Sequence, residues 1–130
     1  MAVGVLLLTH DAIGPALIEA ARHVLGPLPL QVDCVEIGAD ADPEAMLHVS
    51  SDHARKVDTG DGVLVLTDVF GATPSNVARR LDEMGVRLQC VPGLNLPMLL
   101  RVLNYAEQPL DTLADTAASG GRSGIFVDKH

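Results

Sequence analysis

Short apolar runs alternate along this chain with stretches in which apolar residues recur at helical spacing. Val3 to Leu8 is a continuous apolar run, the pattern of a strand buried on both faces. Ile13, Leu17, Ala20, Ala21, Val24 and Leu25 then follow a helical period, which Gly26-Pro27 ends. Val32 to Ile37 predicts a second strand. Asp42-Pro43-Glu44 is a helix start, with Asp as N-cap and Pro at the first helical position. That helix carries Ala45, Met46, Val49 and Val57 and stops at Thr59-Gly60-Asp61-Gly62. Val63 to Leu66 predicts a third strand. Thr73-Pro74 repeats the cap-then-proline signal ahead of Val77, Ala78, Leu81 and Met84, and Gly85 closes that helix. Val86 to Val91 predicts a fourth strand, and Asn95-Leu96-Pro97 opens a helix through Leu99, Val102 and Leu103. A last helix is expected from about Pro109 to Ala118, broken by Gly120-Gly121, before a very short strand at Ile125-Phe126-Val127.

Strands and helices in strict alternation imply an α/β domain with a mainly parallel sheet and helices on both faces. Right-handed crossovers and small size favour a flavodoxin-like, doubly wound sheet in the order 2-1-3-4. No linker or repeat interrupts residues 1–130, which read as a single domain. In that order the topological switch point lies between strands one and three. Thr9-His10-Asp11 and Thr67 to Thr73 then share one crevice beyond the carboxyl ends of the strands. The Pro92-Gly93-Leu94-Asn95 turn lies on the same edge.

Composition narrows the chemistry. Of 130 residues, 48% are hydrophobic and 20% charged, enough apolar material for a core without staples. Nine Lys+Arg against seventeen Asp+Glu give a net charge of -8, which opposes a phosphate backbone. Aromatics are 2%, so bases would find little to stack on, and nucleic acid is excluded as the expected partner. Cys34 and Cys90 each sit inside an apolar run, as small buried hydrophobes of a reducing compartment do. The opening residues lack a basic n-region and a cleavage site, and the apolar run is too short to span a bilayer. A cytoplasmic location is the expectation.

His23, His48 and His53 fall within helices, where solvated or capping roles are expected, and His130 ends the chain. His48 and His53 are five apart, off the i, i+4 spacing that lets two imidazoles share a metal, so no metal site is expected. His10 stands apart because it follows a buried strand at the switch point, and Asp68 follows strand three at the equivalent place. A carboxylate accepting from Nδ1–H fixes the tautomer and exposes the Nε2 lone pair as a nucleophile. Gly71-Ala72-Thr73-Pro74-Ser75 leads into a helix N-terminus, whose N–H groups suit an anion, with Thr73 and Ser75 adding hydroxyls. A nucleophilic His, an orienting Asp and an anion cradle are the parts of a phosphohistidine site. The chain has no GxxxxGK[ST] loop, no GxGxxG fingerprint and no G-x-S-x-G elbow, which disfavours a nucleotide-dependent kinase and a serine hydrolase.

Gly4 to His10, Asp68-Val69-Phe70-Gly71-Ala72-Thr73-Pro74-Ser75-Asn76 and Gly93-Leu94-Asn95-Leu96-Pro97-Met98 together resemble the enzyme IIA component of the mannose family of the bacterial sugar phosphotransferase system. The resemblance covers nearly the whole chain. It implies that His10 accepts a phosphoryl group from the histidine-containing phosphocarrier protein and passes it to a IIB partner, without ATP or any cofactor. It implies catalytic roles for His10 and Asp68 and sets the Thr73 hydroxyl beside the phosphoryl group; Thr9, Gly71, Ala72 and Ser75 are expected as further phosphoryl contacts. Asp11, Phe70 and Asn95 would line the site or meet a partner. Contact with the membrane would be indirect, through a sugar permease. The resemblance also implies a homodimer in which the last strand crosses to the partner's sheet, antiparallel to its edge; Gly120-Gly121 and Gly124 are expected to give the approach to that strand a flexible hinge. Two positions depart from the family pattern: Asp11 replaces a usual glycine, and Ala72 replaces the second glycine of a pair. Two other readings are a regulatory phosphorylation sensor with no transport partner and the phosphoryl-donor subunit of a dihydroxyacetone kinase, a similar fold.

Overall fold

The computed structural model describes residues 2–129. Four parallel strands, β1 (Gly4–Thr9), β2 (Val32–Glu36), β3 (Val63–Thr67) and β4 (Leu88–Pro92), form one sheet in the order β2-β1-β3-β4. This is the flavodoxin-like order expected from the pattern. The central strands β1 and β3 are buried along their whole length, which is why their residues form unbroken apolar runs. Helices α1 (Ile13–Leu25), α4 (Leu96–Asn104) and α5 (Leu110–Ser123) cover one face, packing on Val5, Leu7, Leu64 and Leu66. Helices α2 (Pro43–Val57) and α3 (Thr73–Arg79) cover the other, over Leu6, Leu8, Val63 and Val65. Among the described residues no helix is long and apolar enough to cross a membrane.

Local signals place several boundaries. The Asp42 side chain accepts from Glu44 N at 3.2 Å with Pro43 in the first turn, so α2 starts where the cap predicts. The helical stripes are less faithful. α1 turns Gly14, Ile18 and Ala21 inward and leaves Ile13 and Val24 exposed; α2 buries Leu47, Ser50, Ser51, Ala54 and Val57 and exposes Val49. The expected helix from Thr73 through Met84 divides at Arg80 into α3 and a 3-10 turn, Leu81–Met84. Val86 N bonds back to Leu81 O of that turn, so β4 begins at Leu88, where pairing with Val63 begins. Both cysteines are free and half-buried, and burial is the leading cause that pushes each thiol up from its ordinary value.

The Gly120-Gly121 pair does not break a helix. α5 runs through it to Ser123, because both glycines are buried where α5 presses on α4. A Cβ on Gly120 would stand 2.5 Å from Arg101 Cβ, and one on Gly124 2.4 Å from Pro97 Cβ. Close packing therefore offsets the loss of about 1 kcal/mol that glycine brings to a helix interior. The chain leaves α5 at Gly124. Beyond it, Ile125, Phe126 and Val127 are 74%, 75% and 77% exposed and form no strand within the single chain.

Candidate active site

The site follows from register. Thr9, the last residue of β1, pairs with Glu36 on one side, and Leu8 pairs with Thr67 on the other. That brings Asp68, one residue beyond β3, level with the end of β1. Asp68 Oδ2 accepts two bonds from one residue: the His10 backbone N–H at 2.9 Å and His10 Nδ1 at 2.7 Å. Its other oxygen accepts from Val69 N at 3.0 Å. Since the carboxylate can only accept, Nδ1 carries a proton, and in the neutral ring Nε2 then keeps its lone pair. The His10 side chain is 45% exposed and that of Asp68 10%, so the acceptor is sheltered while the imidazole reaches solvent. Burial pushes the Asp68 carboxyl up, but the bonds from His10 N, His10 Nδ1 and Val69 N outweigh it and hold the group below its usual value.

Thr9 plays a different part from the phosphoryl contact expected of it. It is fully buried, its hydroxyl donates to His10 O at 2.8 Å, and it accepts from Gly14 N at 2.9 Å. It ties the end of β1 to the first turn of α1 and has no oxygen to offer a solvent-borne ligand. Ser75 lies on the buried side of α3 and is 1% exposed. Asn95 is spent on packing as well. Its Oδ1 caps α4 by accepting from Met98 N at 2.8 Å, and its Nδ2 donates to Gly121 O at 3.2 Å. The side-chain polar atoms of Thr9 and Asn95 are thus engaged within the fold, at a strand end and in a helix cap.

The turn after Asp68 remains open. Gly71 has φ 88°, a left-handed conformation that disfavours any side chain, and Asn76 Nδ2 donates to its carbonyl at 3.3 Å. Ala72 is the N-cap of α3 and supplies no side-chain cap, so Thr73 is the first helical residue rather than the cap, and it is exposed. Val69 and Phe70 stand exposed on the same turn, with Arg79 Cζ 5.7 Å from the centre of the Phe70 ring. Asp11 is exposed on the β2 side, its Oδ2 3.1 Å from the place a Cβ on Gly38 would take.

Two features escaped the pattern. Ala12 has φ 70°, the sole non-glycine residue with positive φ among those described, and its N–H donates to Glu36 Oε1 at 2.5 Å. His53, expected to be solvated, is half-buried with Nδ1 2.6 Å from Asp33 Oδ2. Both depend on contacts between strand β2 and segments remote in sequence, which no local period records.

Comparison with known proteins agrees with this arrangement. The family model described as "PTS system fructose IIA component" matches residues 4–118. The mannose-specific EIIAB component of Escherichia coli K12 is 27% identical over 127 residues, covering 96% of this chain and 39% of that protein. The chain thus spans about two-fifths of that curated relative. Among solved structures, a mannose/sorbose-specific IIA subunit from Enterococcus faecalis superposes with a TM-score of 0.87 at 23% identity, covering 100% of this chain and 97% of its own. A phosphotransferase-system EIIA component from Streptococcus agalactiae gives a TM-score of 0.80 at 22% identity, covering 96% of each chain. With a family match from the first strand into the last helix and an imidazole–carboxylate pair at its switch point, the chain belongs to the mannose-family IIA components of the phosphotransferase system.

Proposed function

We propose that His10 is the phosphoryl acceptor of this IIA component and that the protein relays the group from one partner to another. The observation that carries this reading is the double hold of Asp68 on His10, at backbone N and at Nδ1, which leaves Nε2 free. The donor is a phosphohistidine on the histidine-containing phosphocarrier protein. The Nε2 lone pair attacks phosphorus in line, the donor's N–P bond breaks, and its electron pair returns to the donor imidazole. Nδ1 keeps its proton, so the phosphorylated ring is cationic, and the Asp68 carboxylate stabilises it. The turn at Gly71, Ala72 and Thr73 would meet the phosphoryl oxygens with backbone N–H groups and the Thr73 hydroxyl. Reversal of the same step onto a IIB component completes the relay, in the cytoplasm and without ATP. Exposed Val69 and Phe70, beside the nucleophile, give partners an apolar surface to dock on.

Phosphoenolpyruvate, enzyme I and the phosphocarrier protein, followed by intact mass, test the proposal. One acid-labile phosphoryl group is expected, and labelling that survives His10→Ala would overturn it. Transfer onward to a IIB protein separates the relay from a purely regulatory sensor.

Assembly as a homodimer is part of the same reading. β4 is an edge strand, and three consecutive apolar residues stand exposed just after Gly124. Strand exchange would cover both. Truncation after Gly124, with mass read by light scattering, should yield monomers; a truncated dimer as stable as the full chain would exclude the exchange.

A further inference from the structure

We infer that Glu36 is a positioning residue for the reaction at His10, the second of two carboxylates that clamp the nucleophile's loop from the flanking strands. The inference rests on the reading of His10 as the phosphoryl acceptor. Its basis is symmetry about the end of β1. Asp68, on the β3 side, holds the His10 backbone and ring. Glu36, directly paired with Thr9 on the β2 side, accepts from the Ala12 backbone N–H at 2.5 Å. Residues 10–12 thus hang between two carboxylates, one on each neighbouring strand.

The loop needs the second clamp because of its shape. Ala12 adopts φ 70° and ψ -14°, a left-handed conformation in which Cβ crowds the following carbonyl. Such conformations persist only where the surroundings over-determine them, and they cluster at functional sites. Here the surroundings can be named. Thr9 Oγ1 donates to His10 O and accepts from Gly14 N, Ile13 N bonds His10 O at 3.4 Å, and Ile37 N bonds Thr9 O at 2.8 Å. These fix residues on either side of Ala12; Ala12 itself is held at its carbonyl by the Ala16 N–H at 3.3 Å, as the first bond of α1, and at its own N–H by Glu36. Helix α1 has no side-chain cap at its N-cap and no acid in its first turn, so the Glu36 carboxylate also satisfies a donor at the mouth of that helix. Without it, Ala12 would relax toward right-handed or extended backbone. The peptide that carries His10 would turn with it, and the ring would lose its alignment with Asp68.

Glu36 is exposed, so its removal should leave the core intact. Glu36→Ala deletes the acceptor, Glu36→Gln keeps an acceptor oxygen without the charge, and Glu36→Ala with Ala12→Gly relieves the strain without the clamp. Two readouts are needed: the rate and KM of phosphoryl transfer from the phosphocarrier protein, and the 15N and amide-proton NMR signals of His10 and Ala12 in the unphosphorylated protein. The expected result is a roughly tenfold lower rate at unchanged KM in Glu36→Ala, the order of one lost hydrogen bond to a charged acceptor. The His10 ring should show a mixture of tautomers, the Ala12 amide proton should move upfield, and Glu36→Gln and the double variant should recover most of the rate. A Glu36→Gln as slow as Glu36→Ala would mean that charge, not the bond, matters, and would overturn the inference. So would a Glu36→Ala with wild-type rate and unshifted signals. Should the wild-type protein accept no phosphoryl group, the reading of His10 fails, and the NMR signals still report whether Glu36 holds the loop.

Discussion

Two His–Asp pairs among the described residues have nearly the same Nδ1–Oδ2 distance. His10 Nδ1 lies 2.7 Å from Asp68 Oδ2, and His53 Nδ1 lies 2.6 Å from Asp33 Oδ2. Their settings differ. His10 follows the central strand β1 at the switch point, and its partner also grips its backbone N–H. His53 lies inside helix α2, where its own backbone belongs to the helical ladder, and Asp33 lies on the edge strand β2 with 36% of its side chain exposed against 10% for Asp68. The free oxygen of Asp33 accepts from Cys34 N at 2.8 Å, so that carboxylate occupies a backbone donor of the edge strand. The first pair has an open turn and an uncapped helix start beside it; the second joins a helix to a sheet edge. An imidazole–carboxylate pair thus becomes a candidate nucleophile through its place in the topology, not through its distance.

The contrast can be broken most directly by substituting each histidine. His10→Ala should abolish phosphorylation, while His53→Ala should leave its extent and rate unchanged in the same intact-mass assay. Loss of labelling in His53→Ala with a folded circular-dichroism spectrum would put both pairs in one mechanism.

The carboxylates give the next largest difference. Asp68→Asn keeps the shape but lets the amide favour the wrong tautomer, and transfer should slow by roughly 10²-fold, less than the ~10⁴-fold seen when a serine protease loses its orienting carboxylate. Asp33→Asn should transfer at the wild-type rate in a stopped reaction read by phosphohistidine content. Equal losses in the two variants would erase the distinction between the two pairs.

A smaller effect concerns acid stability. The folded-state pKa of Asp68 is lowered, so its contribution to stability is fully present above the unfolded carboxylate value of about 3.9. It is lost as pH falls through the lower folded value. Chemical denaturation should therefore show wild type more stable than Asp68→Asn at neutral pH, with the gap closing only below about pH 4. A gap that closes near neutrality would mean that the carboxylate is not held in its charged form.

Much of this was legible in the residues. β1 and β3 appear as apolar runs because a strand buried on both faces tolerates nothing else, and the start of α2 appears because a cap is a contact between near neighbours. The sheet order followed from handedness and chain length, and with it the meeting of His10 and Asp68. Motif residues carried the family as well. What each polar atom of those motifs does was a matter for the tertiary structure. Thr9 and Asn95 carry the same donor and acceptor groups whether they face a ligand or a helix terminus, and only packing chose the second. Gly120 and Gly121 read as a break by propensity, yet the approach of α4 made their missing side chains the condition for a continuous helix. Glu36 and Asp33 gave no local signal, because the bonds they accept from Ala12 and His53 join residues 24 and 20 positions away. Burial on both faces and capping are written in neighbouring residues; hydrogen-bond direction and interhelical distance depend on parts of the chain that meet only after folding.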